Sequence, residues 1–298
     1  MFDLILGVAR QDERIRAVIM NGSRANPNAS RDPFQDFDIV YVVTEITSFR
    51  AEPDWIDCFG EMMILQLPDD MDSRQAEAAG VPGPDLDKHY AYLMQFADGN
   101  RIDLTLFAAH RLAEMDEDSR SILLLDKDGI VPPFPPASDR DTCSKSPTVE
   151  QFADCCNEFW WVSVYVAKGL WRREILYALD VRESYVRPQL MKMITWFVGV
   201  QTDFAVSPGK SGKYLERLLS PEDWLALLRT WSDADYEHAW DAQDAMSDLF
   251  RAKALAVAAH FGFDYPQADD QRVRAFASCA FAQRRQDDLL ITLAISEQ

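Results

Sequence analysis

Four of the five residues from Pro132 to Pro136 are proline, within Val131-Pro132-Pro133-Phe134-Pro135-Pro136. Proline has no amide hydrogen to give a helix interior or a central strand, and its ring fixes φ. The stretch therefore reads as an extended connector. The sequence changes period across it. Before it, short apolar runs alternate with polar positions, as strands do; after it, apolar positions recur at helical spacing. The spacing predicts an α+β chain, with a mixed sheet and helices over residues 1–135 and an all-α helical bundle over 136–298. Its 298 residues suit one large or two ordinary domains, and 48% hydrophobic residues are ample for real cores.

Within the first part, Met1 to Gln11 has the pattern of an amphipathic helix. Strands are expected over Ile15–Met20, Phe37–Val43, Glu61–Leu67, Tyr90–Phe96 and Arg101–Phe107. Asp98-Gly99 between the last two is a hairpin signal. Asp69 to Lys88 is acidic and carries proline and glycine, so it reads as a loop. In the second part, helical spacing covers 148–168, 170–182, 184–200, 211–219, 221–231, 233–261 and 267–285. Ser220-Pro221 is a good helix start, with serine at the cap and proline at the first position.

The chemistry concentrates in residues 21–43. Gly22-Ser23 follows an apolar run, and Asp36-Phe37-Asp38 leads into Ile39-Val40-Tyr41-Val42-Val43. Alternation in a strand sends Asp36 and Asp38 to the same face, where two carboxylates repel unless a cation sits between them. Hard oxygen ligands without nearby histidine or cysteine suggest Mg²⁺. The glycine turn offers backbone amides and a hydroxyl to a phosphate. Together these parts suggest a metal-assisted nucleotidyl transfer site. In Arg101–Phe107, Ile102, Leu104 and Leu106 alternate against Asp103 and Thr105. If that strand pairs beside Phe37–Val43, Asp103 completes a three-carboxylate cluster.

The chain resembles the aminoglycoside 6-adenylyltransferases, the streptomycin-modifying type, within the nucleotidyltransferase superfamily. The resemblance runs from Gln11-Asp12-Glu13-Arg14-Ile15-Arg16 to about Tyr265-Pro266. It is carried by NGSRAN at 21–26, FQDFDI at 34–39, RIDLTL at 101–106, DCCNEFWWVSVYVAKGLWRREILYALD at 154–180 and GKSGKYLERLLS at 209–220. Trp160-Trp161, Arg172-Arg173 and the tail after about 270 depart from the family pattern. The resemblance implies a nucleotidyltransferase domain followed by a helical domain that closes on the nucleotide and helps form the acceptor cleft. It implies ATP as co-substrate, an aminoglycoside as acceptor, and AMP transfer to a hydroxyl with release of pyrophosphate. Asp36 and Asp38 then hold Mg²⁺, and Asp103 is general base or second-metal ligand. Gly22 and Ser23 hold phosphates, with Arg24 assisting.

A formal charge of −19 and an isoelectric point near 4.5 disfavour nucleic acid and anionic lipid as partners and suit a polycationic acceptor. ATP needs local cations against this field, and Arg24, Lys210 and Lys213 are the candidates. Ser207-Pro208-Gly209-Lys210-Ser211-Gly212-Lys213 fails the Walker pattern, because residue 204 is phenylalanine and no strand precedes it. Two lysines among glycines at a helix start still suggest an anion site, and the resemblance favours Lys213 as a triphosphate contact.

On the helix from Thr148 to Lys168, Phe152, Cys156, Phe159, Ser163 and Val166 share a packing stripe. Asp154, Asn157, Glu158, Trp161, Tyr165 and Lys168 share another. Spacing alone leaves this second row open between a solvated face and a binding wall; the resemblance assigns it to the acceptor. Five cysteines, an odd number without C-x-x-C spacing and with Cys155 and Cys156 adjacent, and four scattered histidines imply neither a disulfide framework nor a zinc site. No signal peptide is evident and no apolar run approaches the ~18 residues of a membrane span. A cytoplasmic monomer is the expectation, in which the sequon Asn28-Ala29-Ser30 is silent. AMP transfer to another small molecule or to a protein hydroxyl needs the same aspartates and remains open, as does a non-catalytic nucleotide-binding module on the same fold.

Overall fold

The computed structural model describes residues 1–27, 29, 31–116 and 118–296, with side chains described through residue 286. Asn28 and Ser30 of the sequon lie outside the described residues. Contacts divide the chain into Met1–Asp141 and a second unit that begins at Thr142.

The first unit is built on a six-stranded mixed sheet. In chain order it contains α1 (Phe2–Gln11), β1 (Ile15–Asn21), α2 (Gly22–Ala25), β2 (Phe37–Val43), α3 (Thr47–Ala51), β3 (Met62–Gln66), α4 (Pro68–Ala79), β4 (His89–Phe96), β5 (Arg101–Ala108) and β6 (Ile122–Asp126). The order across the sheet is β3-β4-β5-β2-β1-β6. Only β2 and β5 pair in parallel, while the other neighbours run antiparallel. The five expected strands form within a residue or so of their predicted bounds. The sixth, β6, takes the edge beside β1 and was not foreseen from the pattern.

β1 and β2 are apolar on both faces because both faces are covered. One face, with Ile15, Val18, Ile39, Tyr41 and Leu104, packs against Ile5 and Ala9 of α1 and against Phe49, Ile56 and Phe59. The Tyr41 hydroxyl donates to the Ile5 carbonyl at 2.6 Å. The other face, with Ala17, Ile19, Val40, Val42 and Phe107, packs against Val131 and Phe134. The proline-rich stretch is irregular, as its composition requires, but its two apolar residues lie on the sheet. Residues 138–141 stay with this unit through hydrogen bonds: Ser138 N donates to Ser119 O at 2.8 Å, Ser119 N to Asp141 Oδ2 at 2.8 Å.

The segment from Asp69 is a correction. It is not wholly loop, because Pro68–Ala79 forms α4. Proline stands in the first turn with Asp69 and Asp70, and Gly80 ends the helix at φ 67°. Asp69 also closes an open position on β4, where Ala91 N donates to its Oδ2 at 2.7 Å.

The second unit is helical: α5 (Val149–Trp171), α6 (Ile175–Val181), α7 (Arg187–Thr202), α8 (Leu215–Leu218), α9 (Pro221–Leu228), α10 (Tyr236–Phe261) and α11 (Gln267–Ser296). α5 opens with a reciprocal capping box between Thr148 and Gln151. α9 starts at Ser220-Pro221 as expected, the serine hydroxyl accepting from Asp223 N at 3.1 Å. The helix expected over 170–182 is interrupted, since Arg173 has φ 60° and α6 begins at Ile175. A Cβ on Gly169 would lie 2.9 Å from Tyr177 Cδ1 and 3.1 Å from Ala178 Cβ, so this glycine allows α6 to lie against α5. The helix expected over 211–219 reduces to one 3-10 turn, Lys210–Gly212, and the single turn of α8, because Ser211 sits at φ 56°. Among the described residues no helix is long and apolar enough to cross a membrane.

Candidate active site

The site begins where β1 ends. Asn21 is opposite Asp38 across β1 and β2, and Gly22 follows at φ +72°. That conformation favours glycine, and space demands it too. A Cβ on Gly22 would sit 2.0 Å from Asp38 Oδ2. The turn and the second aspartate of the motif are therefore in contact, although fifteen chain positions separate them.

On the other side of β2, the parallel pairing with β5 sets Phe37 opposite Ile102 and Asp38 opposite Asp103. The condition for Asp103 to join the aspartate pair is met. Continuing the register by one residue brings Asp36 opposite Arg101. Period-two alternation keeps Arg101 and Asp103 on one face, and the guanidinium closes on that carboxylate from two sides. Arg101 Nε lies 2.7 Å from Asp103 Oδ1 and Nη2 lies 2.8 Å from Oδ2; Nε is also 3.9 Å from Asp36 Oδ2. Arg101 was not foreseen. The same alternation that singled out Asp103 also placed Arg101 beside it, so the signal was there.

Burial is the main cause that pushes the Asp38 carboxyl up to about 6, with the charges of Asp103 and Asp36 adding to it and Arg101 and Arg120 opposing it. Asp36 is raised as well, again chiefly by burial. The three carboxylates thus meet at one end of neighbouring strands, but they do not stand as a ready cage. Among the described residues no three acidic, histidine or cysteine side chains converge closely enough to hold a metal ion as placed. Both oxygens of Asp103 accept from Arg101 as placed.

Arg24 is engaged by the loop between Gly22 and β2. Its Nε donates to Asp36 O at 3.0 Å, its Nη2 to Gln35 O at 2.7 Å, and its guanidinium covers the Phe37 ring at 3.7 Å. It fixes the loop that delivers Asp36. Ser23 is half-buried beside that loop, its Oγ accepting from Gln35 Nε2 at 3.4 Å. Asn21 is held by Ser121, whose hydroxyl donates to Asn21 Oδ1 at 2.8 Å.

The remaining predicted residues belong to the second unit. Phe152, Cys156, Phe159, Ser163 and Val166 of α5 are buried, as the stripe required, but so are Cys155, Trp160 and Val162. The adjacent cysteines both enter the core because the helix is covered over a wide arc. Asp154, Asn157, Trp161 and Tyr165 are exposed and Glu158 is half-buried. Trp161, at 61% exposure, stands edge-on to Tyr165 with ring centres 6.4 Å apart. Lys168 Nζ is 5.7 Å from the Tyr165 ring. Lys210 and Lys213 are exposed on the glycine-bounded turn, Lys213 Nζ being 5.1 Å from the Tyr214 ring. They do not stand at the start of a continuous helix, which corrects that expectation.

A family model described as streptomycin adenylyltransferase matches residues 1–279. An aminoglycoside 6-adenylyltransferase of Campylobacter jejuni is 39% identical over 274 residues, 91% of this chain and 91% of its own length. One from Bacillus subtilis (strain 168) is 38% identical over 272 residues, 91% of this chain and 93% of its own. One from Staphylococcus aureus is 35% identical over 268 residues, 89% of this chain and 92% of its own. Similarity of this extent runs through the aspartate motif, its partner strand and the helical unit alike, and makes the chain a nucleotidyltransferase that belongs to the streptomycin adenylyltransferase family.

Proposed function

We propose that this chain transfers AMP from MgATP to a hydroxyl of an aminoglycoside, with position 6 of streptomycin as the acceptor, and releases pyrophosphate. The observation that carries the reading is the register that sets Asp38 beside Asp103 and against the Gly22 turn. Membership of the family supports the acceptor class.

The donor set suits a hard dication. Three carboxylates at neighbouring positions carry more negative charge than Arg101 offsets, and oxygen ligands of this kind favour Mg²⁺. Asp36, Asp38 and Asp103 are the residues that would hold it, where it would neutralise charge on the triphosphate and on the departing pyrophosphate. The amides of the Gly22-Ser23 turn and the Ser23 hydroxyl bind the β- and γ-phosphate oxygens. Lys210 and Lys213 supply positive charge to the triphosphate. Asp103, once free of Arg101, takes the proton of the acceptor hydroxyl as its oxygen bonds to the α-phosphorus. The bond from that phosphorus to the bridging oxygen breaks in line, and pyrophosphate leaves. Asp154, Asn157 and Glu158 pair with the acceptor's guanidinium or ammonium groups, while Trp161 and Tyr165 pack against its rings and cations. The protein works as a cytoplasmic monomer.

Pyrophosphate release from MgATP, measured with streptomycin and then with other aminoglycosides, tests the reading. Release with streptomycin that drops by about 10³-fold or more in Asp36→Asn and Asp38→Asn, with circular dichroism unchanged, is expected. Near-normal turnover in either variant would sink the assignment of the aspartates. Release with a different aminoglycoside alone would keep the reaction and replace the acceptor. No release with any of them, while ATP binds, would overturn the reaction.

A further inference from the structure

We propose that Arg101 is a built-in counter-cation: it holds Asp103 and Asp36 in the metal-free protein and gives them up when a divalent cation binds. This rests on the metal-assisted reading above and adds to it a competitor within the chain.

Geometry carries the proposal. Asp36, Asp38, Arg101 and Asp103 form a block two strands wide over three register positions, in which Arg101 is the cation that touches the carboxylates, while Arg24 and Arg120 act on Asp36 and Asp38 from farther away. Such a block would spread apart by repulsion if nothing stood among the carboxylates. Arg101 grips both oxygens of Asp103 at 2.7 and 2.8 Å and reaches toward Asp36 at 3.9 Å. A planar guanidinium matches a carboxylate in this two-pronged way, and an ammonium cannot. While the grip lasts, the lone pairs facing Arg101 are taken, and the guanidinium charge opposes a second cation on the same carboxylate. The Arg101 side chain is also 40% exposed, so it can swing into water once a dication takes over its charge. The ionic grip is therefore exchangeable. The carboxylates stay aligned in the resting protein, and a dication must compete with Arg101 to take Asp103. Arg101 is in this sense a positioning residue.

The test measures Mn²⁺ binding to the full-length protein by electron paramagnetic resonance, with and without a non-hydrolysable ATP analogue. It compares wild type, Arg101→Gln, Arg101→Lys and Asp38→Asn. Arg101→Gln is expected to bind Mn²⁺ about tenfold more tightly than wild type in the absence of nucleotide, since a competing unit charge at close range is gone. In chelator it should also melt at a lower temperature than wild type, and Mn²⁺ should restore the loss. Arg101→Lys, which keeps the charge and loses the fork, should fall between the two. Wild-type or weaker affinity in both arginine variants, alongside lost binding in Asp38→Asn, would overturn the proposal and leave the metal reading standing. Unchanged Mn²⁺ binding in Asp38→Asn, with and without the analogue, would remove the metal reading itself, and the proposal with it.

Discussion

Asp38 shows how function and stability oppose each other in one side chain. Its carboxyl is raised from the ordinary carboxylate value to about 6, first by burial and then by Asp103 and Asp36. An acid raised in the folded state favours folding in its protonated form. Its contribution is fully present below about pH 4 and is lost as pH rises through about 6. A shift of this size corresponds to at most roughly 3 kcal/mol, and solvent screening brings it nearer about 1–2 kcal/mol. Asp38→Asn in chelator is therefore expected to melt a few degrees above wild type at pH 7.5. The gap should narrow toward pH 4 in a pH series of thermal melts. Gly22→Ala should do the opposite. Its new methyl would meet Asp38 Oδ2 at 2.0 Å on a backbone at φ +72°, displacing the carboxylate. A misplacement of this order costs about 10²-fold in turnover, measurable as kcat alongside a circular dichroism spectrum that stays folded. At this scale the face of Asp103 was legible because Ile102, Leu104 and Leu106 alternate against Asp103 and Thr105. The hold of Arg24 on two loop carbonyls was not legible, because its charge gives no sign of them. Arg101 carries no motif of its own, and only the alternation that places Asp103 places it.

At the scale of elements, what could not be read was mostly pairing. The alternation in Arg101–Phe107 gives the face of Asp103, but the partner strand follows only from topology, and here β5 lies parallel to β2 while its sequence neighbour β4 lies antiparallel on the far side. β6 is a short run at the sheet edge that joins β1 over a large sequence distance, and no local signal announces that pairing. α4 was legible in hindsight. Pro68, the acids that follow it and Gly80 are ordinary start and stop signals, outweighed in the reading by the polarity of the segment. Among the helices, 170–182 and 211–219 failed where single residues at positive φ, Arg173 and Ser211, break a periodicity that the side chains still obey. α4 also carries a prediction. Asp69 is buried at 6% exposure and accepts the Ala91 amide. Asp69→Ala leaves that amide unpaired on an open strand position, at a cost of about 1–3 kcal/mol. The expected result is a lower urea midpoint with faster hydrogen exchange at Ala91; unchanged exchange there would rule out this role for Asp69.

Across the whole molecule, each unit owns a core; the change of period puts a boundary at 135–136, whereas the contacts divide the chain after Asp141. The prolines themselves were read only as a connector. Val131 and Phe134 in fact close one face of the sheet over Ala17, Ile19, Val40, Val42 and Phe107. A fragment of residues 1–141 is expected to melt cooperatively, whereas one ending at residue 128 should bind a hydrophobic dye and melt earlier or without a sharp transition. Equal melting of the two fragments would deny the stretch its part in the core. The same feature sets a schedule for synthesis on the ribosome. Domains generally fold as units, amino-terminal first, yet here the strands that carry the aspartates are translated well before the residues that seal them. Leu112 and Met115 cover part of that face of the nascent sheet, and the rest stays open until Val131 and Phe134 have emerged from the exit tunnel, so a pause in translation just before the proline codons would hold the remaining apolar surface within reach of chaperones.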